Sequence, residues 1–200
     1  MNKSNNYFML KDIGEIQSGY LFKSRVENVK EGNIRVIQLK DMDDSGRLHL
    51  DNLATVKMDN IDQIKNRYPL KKGDVLFKAK SNKNAAGVFD QDIGIAIPTV
   101  HYFIIKIKDA SVLPEYLAWF MNQKPARKYY ETRSAGTTIP IVNKKILEGL
   151  EVMVPPIKIQ KKIVAIFNLF LKEKEIMEQL IGKRKQFIED TLIKVVQNEI

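Results

Sequence analysis

The sequence predicts an α/β chain of the α+β kind: a domain with a mixed sheet over residues 1–156, followed by one long coiled-coil-type helix over 157–200. A change of texture predicts it. Before Pro155-Pro156, short apolar runs alternate with Gly, Pro and Asp turn signals. After it, from Ile157 to Asn198, there is no proline, one glycine and a run of strong helix formers. A third observation sets the helix type: its apolar residues recur every seven positions.

The elements follow in order. Ile34-Arg35-Val36-Ile37-Gln38-Leu39 reads as a strand, followed by the polar turn Asp43-Asp44-Ser45-Gly46. Lys72-Gly73-Asp74 turns the chain into Val75-Leu76-Phe77, a short buried strand, and Tyr102 to Ile107 forms another. Pro114 opens a helix running to Asn122, with proline in its first turn, and a second short helix spans about Pro125 to Thr132. Trp119 and Phe120 lie on the apolar face of the first of these and are expected in the core. Glu151-Val152-Met153-Val154 is a closing strand stopped by the double proline.

In the terminal helix Ile163, Phe170 and Met177 form one row. Phe167, Lys174, Ile181, Ile188 and Val195 form a second; Ile166, Glu173, Leu180 and Phe187 form a third. Forty helical residues span roughly 60 Å, against a diameter of about 38 Å for a 150-residue domain. The stripe is therefore expected to need a partner helix; folding back on its own domain covers only the first few turns. Gly182 lowers helix propensity by about 1 kcal/mol.

With 33 Lys+Arg against 24 Asp+Glu the net charge is +9, and it is local. Residues 65–83 hold seven cations and one carboxylate, and residues 122–145 hold six and one. Residues 41–62 run the other way, with six carboxylates against two cations. Two basic segments on one face would track a phosphate backbone, so nucleic acid is the first partner to consider.

Much chemistry is absent. There is no cysteine, which excludes disulfides, thiolate catalysis and Cys-based metal sites. His49 and His101 stand alone without ligand spacing, so no metal is expected. No lysine follows an Asp or Glu by two positions, as a common metal-dependent nuclease strand requires, and no Walker loop, Gly-x-Gly-x-x-Gly or Gly-x-Ser-x-Gly is present. No run approaches a membrane span and no apolar leader follows Met1. The expectation is a soluble, cytoplasmic, non-catalytic protein.

Several stretches together carry a resemblance. These are Leu10-Lys11-Asp12-Ile13-Gly14-Glu15-Ile16 with Ser18-Gly19, Ile34 to Asp41, and Leu70-Lys71-Lys72-Gly73-Asp74-Val75-Leu76-Phe77. Leu113-Pro114-Glu115-Tyr116-Leu117, Ser134 to Pro140, and Val154-Pro155-Pro156 with Gln160-Lys161-Lys162-Ile163 follow. In this order, leading into a long helix, they resemble the specificity (S) subunit of type I restriction–modification systems, in a half-length form with a single target recognition domain. The family's usual Ser/Arg/Gly-rich loop after the Gly-Asp-Val-Leu-Phe strand is replaced here by Lys78-Ala79-Lys80-Ser81-Asn82-Lys83-Asn84.

The resemblance implies a DNA-recognition domain over 1–156 and a helix for dimerisation and methyltransferase docking over 157–200. Implied partners are double-stranded DNA, a second copy or another half S subunit, a modification (M) subunit, and a restriction (R) subunit through the complex. This chain needs no cofactor; S-adenosylmethionine and adenine methylation belong to the M subunit. The implied target is a bipartite, palindromic site. The alternative is a stand-alone DNA-binding regulator or decoy without a methyltransferase.

Residue types then nominate contacts. Lys78, Lys80 and Lys83 are expected on phosphates, with Ser81, Asn82 and Asn84 reading bases, since an amide pairs bidentately with adenine. Arg133, Ser134, Thr137 and Thr138 form a second loop, where Gly136 permits close approach. Lys144 and Lys145 serve the field, and Tyr20, Lys23 and Ser24 follow an early turn. The dimer helix is expected to use Ile163, Phe167, Phe170, Met177, Leu180, Ile181, Phe187, Ile188 and Val195.

Overall fold

A computed structural model of the chain describes residues 6–59, 61–68, 70–81, 83–134 and 141–198. In chain order its elements are β1 (Tyr7–Met9), α1 (Leu10–Ile13), β2 (Gly14–Ser18), β3 (Ile34–Ile37), β4 (Ala54–Val56), α2 (Ile61–Arg67), β5 (Val75–Lys78) and β6 (Ala85–Val88). Then come β7 (Ala96–Pro98), β8 (Tyr102–Ile107), α3 (Pro114–Met121), α4 (Lys124–Arg133), α5 (Lys144–Glu148), β9 (Glu151–Met153) and α6 (Ile157–Asn198). A single 3-10 turn, Leu39–Asp41, follows β3. The chain divides into two compact units, residues 1–160 and 161–200.

The first unit is organised by an antiparallel four-stranded sheet of order β2–β8–β5–β6. Both of its faces are buried, which explains why β5 reads as a continuous apolar run. Alternation sends Val75, Phe77 and Ile105 to one face, where they meet Leu117 and Met121 of α3 and Tyr130 of α4. It sends Leu76, Tyr102 and Ile104 to the other, against Ile37, Met42, Leu50 and Phe89. A mixed three-stranded sheet, β4–β3–β7, has β3 antiparallel to β4 and parallel to β7. Its Ile34, Val36 and Ile97 pack with Ile64 of α2. A third, two-stranded sheet pairs β1 with β9.

The expected strands at Ile34, Val75, Tyr102 and Glu151 and the helices at Pro114, Pro125 and Ile157 are all present, with shifts of a residue or two at most ends. The first strand ends at Ile37, two residues early, because the backbone amide of Gln38 turns to the Asp41 carboxylate at 2.7 Å and closes the 3-10 turn. The basic stretch from Lys65 includes the end of a helix, α2, rather than a loop alone.

One contact ties the acidic turn to the sheet. Gly46 adopts φ +91° and its carbonyl oxygen lies where a Cβ on Gly87 of β6 would stand, 1.9 Å away. Asn122, just past α3, donates to the carbonyls of Ala86 (2.8 Å) and Ser45 (3.3 Å) and accepts the Ala86 amide (2.8 Å). Gln160, in the first turn of α6, is fully buried. Its amide donates to Ser111 and Pro155 carbonyls, each at 2.7 Å, and its oxygen accepts the Leu113 amide at 2.9 Å.

The second unit is α6 from residue 161 on. It runs through Gly182 without a break, and a Cβ there would meet nothing within 4 Å. Ile163 and Phe167 are half-buried, while Phe170, Met177, Leu180, Ile181, Phe187, Ile188 and Val195 are exposed. An apolar stripe this long in solvent marks an interaction surface.

Candidate nucleic-acid interface

Four segments distant in sequence are joined by main-chain hydrogen bonds beyond one end of the four-stranded sheet. The Tyr20 amide donates to Pro98 and the Val100 amide to Tyr20, both at 2.8 Å. The Ala79 amide donates to His101 at 2.9 Å, and the Val142 amide donates to Ala79 at 3.1 Å. Lys80 and Ile141 form an antiparallel bridge. The two basic stretches inferred from charge therefore meet, at Lys80 and Ile141, beside the turn Thr99–His101 and the strand-like extension Tyr20–Leu21.

On this edge Leu21, Lys80, Lys83, Val100 and Ile141 are exposed, and Ser81 and His101 are half-exposed. Lys23 and Ser24 are exposed in the bend that follows Leu21. Arg133, exposed at the end of α4, lays its guanidinium over the Tyr129 ring at 3.9 Å. That stacking orients a cation that stays available to an anion. Lys144 is exposed at the start of α5, with Glu148 at 3.7 Å.

Four expected contacts are corrected. Lys78 is only 7% exposed: pairing opposite Tyr102 puts it on the same face as Leu76, and its ammonium donates to the Met42 carbonyl at 2.8 Å. It is a buried strut, not a phosphate contact. Ser134 is 8% exposed, at the C-cap of α4, where its amide donates to Tyr130. Asn84 turns its amide inward, donating to the carbonyls of Lys78 and Ala79 at 3.0 and 3.1 Å, and so clamps the β5–β6 turn instead of offering those hydrogens to a base. Tyr20 is half-buried, edge-on to Phe22 and Tyr68, so its ring is packing. Asn82, Thr137 and Thr138 lie outside the described residues.

Leu21, Val100, His101 and Ile141 were not singled out by sequence. The visible clue was a Val-His pair in the short turn between two strands, β7 and β8. Burial, and then the charge of Lys80, hold the His101 imidazole below its ordinary pKa, so at neutral pH it is an uncharged donor and acceptor.

Of the acidic stretch only Asp41 is buried and Asp43 half-buried; Asp44, Asp51, Asp59 and Asp62 are exposed. Asp41 is buried, which raises its pKa against the opposing pull of the Gln38 amide. Burial also pushes Asp43 up, but the Ser45 hydroxyl, the Arg47 and Ser45 amides and His49 outweigh it and hold it below the usual carboxylate range. Asp44 remains at the surface and lies 3.4 Å from Lys83, on the basic edge itself. Among the described residues no group of His, Cys, Asp or Glu is placed to hold a metal ion, and no helix is long and apolar enough to cross a membrane.

A family model described as Type I restriction modification DNA specificity domain matches residues 2–183. The chain is similar to the type I restriction enzyme MjaVIII specificity subunit of Methanocaldococcus jannaschii, at 29% identity over 106 residues, covering 53% of this chain and 22% of that protein. Its fold is similar to the HsdS subunit from Thermoanaerobacter tengcongensis (TM-score 0.58, 16% identity, 86% of this chain and 39% of that one). It is also similar to the type I restriction–modification S subunit from M. genitalium (TM-score 0.56, 13% identity, 93% and 44%). The chain thus spans about two fifths of the length of the structures it matches.

Proposed function

The chain belongs to the type I restriction modification DNA specificity domain family, and from that premise we propose that residues 1–156 read one half of a bipartite DNA site while α6 pairs with a second helix to bring in the other half. The protein is non-catalytic. It directs an M subunit, which carries S-adenosylmethionine and methylates adenine, and through that complex an R subunit.

The observation that carries this reading is the main-chain convergence at Ala79, His101, Tyr20 and Val142. It brings Lys80 of the first basic stretch beside Ile141 of the second, with polar and apolar side chains around them, which suits a phosphate backbone flanking base edges. Lys80, Lys83, Arg133, Lys144 and Lys23 are assigned to phosphates. Ser81 and Ser24, with Asn82, Thr137 and Thr138, are assigned to the bases and sugars between. The stripe on α6 takes the helix of a second copy or of another half S subunit.

The test is co-expression with an M subunit and mapping of adenine methylation across the genome. A palindromic motif of two half-sites at fixed spacing is expected. Failure of the two proteins to co-purify, with DNA binding retained, would instead leave a stand-alone DNA-binding regulator.

A further inference from the structure

We propose that the basic edge reads thymine: Leu21, Val100 and Ile141 contact the C5-methyl groups of thymines in the major groove of the half-site. The inference rests on the DNA-recognition reading above and adds the base chemistry.

The three residues lie on neighbouring segments. Tyr20 bridges Thr99, and the Val100 amide donates to the Tyr20 carbonyl at 2.8 Å, which sets Leu21 beside Val100. The Tyr102 amide donates to the Thr99 carbonyl at 3.0 Å, closing a turn with Val100 and His101 at its tip. The His101 carbonyl accepts the Ala79 amide, and the next residue, Lys80, bridges Ile141. Thr99, Ala79 and Val142 are buried, so the adjoining Val100, Lys80 and Ile141 point outward. Leu21 is 68% exposed, more than any other large apolar residue described in the first unit. With chains about 4.8 Å apart, the four segments span about 14 Å, or about four base-pair steps of 3.4 Å.

A surface made only for phosphates needs cations, not aliphatic side chains. Three of them gathered around Lys80 and the neutral His101 match an apolar partner, and the major groove offers one kind, the thymine methyl. The other groups it presents are hydrogen-bond donors and acceptors. An apolar wedge that kinks DNA from the minor groove is a different device, since it drives a side chain between two stacked bases. Here the Lys80 segment lies between those of Val100 and Ile141, so the aliphatic side chains are spread along the edge rather than gathered into one wedge. Val100 and Ile141, branched at Cβ and held by main-chain bonds, lose little rotamer freedom on contact.

The test uses the full-length chain and the duplex it prefers, obtained by selection from a random pool. Replacing every thymine of that duplex by deoxyuridine removes the methyl and leaves base pairing intact. Affinity should fall about fourfold for each methyl contacted, the effect of exposing one buried aliphatic carbon, and about 15-fold or more for two. A loss of the same size in an unrelated duplex would trace the effect to the DNA itself and overturn the proposal. The combined variant Leu21→Ala, Val100→Ala, Ile141→Ala, its fold checked by circular dichroism, should bind the thymine and uracil duplexes equally. The three single variants make the same comparison if the combined one does not fold. A variant that keeps full discrimination would overturn the assignment to these residues; if it also loses an M subunit, the face is a protein-docking surface. Equal binding of both duplexes by the wild-type chain, or a preferred site without thymine, would overturn methyl reading and leave the recognition role standing. A chain that prefers no duplex over another would overturn the recognition role as well.

Discussion

The ammonium of Lys78 ends 2.8 Å from the carbonyl oxygen of Met42, inside the first unit, while Lys80 two residues on is exposed at the basic edge. Two lysines of one stretch thus do different work. Lys78→Ala should lower stability by about 2–3 kcal/mol, because a charge-assisted hydrogen bond is lost and a buried carbonyl is stranded. Its DNA affinity, measured on folded protein well below the melting transition, should change by less than about twofold.

Lys80→Ala should do the reverse, leaving the melting temperature unchanged. It should weaken binding to all duplexes alike and reduce the slope of log affinity against log salt by about 0.9. Titrations at several salt concentrations read both quantities. An unchanged slope would remove Lys80 from the phosphate contacts.

Asp44 lies 3.4 Å from Lys83, both about 60% exposed in their side chains, and competes with phosphate for that ammonium. An exposed pair of this kind contributes little to stability. Asp44→Asn should therefore leave the fold intact and raise DNA affinity by about two- to fivefold at low salt. The gain should vanish in the Lys83→Ala background.

His101 makes a separate prediction. Because it is neutral at pH 7 and lies between Lys80 and the Tyr20–Leu21 extension, His101→Ala should leave non-specific affinity within about twofold. In a binding-site selection it should relax one position of the preferred site by about 1–3 kcal/mol. Its lowered pKa also fixes a sign. The unfolded chain takes up the proton first as pH falls below 6.5, the ordinary imidazole value. Stability should fall from there down to the folded-state pKa, and His101→Gln should flatten that decline.

The crossing of Gly46 over Gly87 is a packing test. A Cβ at Gly87 would stand 1.9 Å from a backbone oxygen, so Gly87→Ala must push two main chains apart and should prevent stable folding. Gly182→Ala meets nothing and should raise the helicity of α6, contributing about 1 kcal/mol. Thermal unfolding followed by circular dichroism distinguishes the two.

The parts of this fold legible in the sequence were those with punctuation and strong local pattern. Tyr102–Ile107 is rich in β-branched and aromatic residues, α3 and α4 each carry a proline in the first turn, and α6 has 42 residues without one. β6, Ala-Ala-Gly-Val, has none of those marks. It is a strand because Gly87 lets the acidic turn approach and because β5 needs a partner, which are tertiary reasons. The site divided in the same way. Charge located two basic stretches, but which lysine points outward depends on strand register, and Lys78 opposite Tyr102 could not be oriented before the pairing was known. His101 joined the site only through a hydrogen bond to Ala79 across a neighbouring strand.

That hydrogen bond belongs to a ladder of backbone amides and carbonyls that links the four segments. No side chain of Leu21, Lys80, Val100 or Ile141 takes part in it. Scaffold and reading surface are therefore separable under mutation. A library randomised at these four positions should remain largely folded while its members differ in the DNA they prefer, so new recognition can arise without passing through unfolded intermediates.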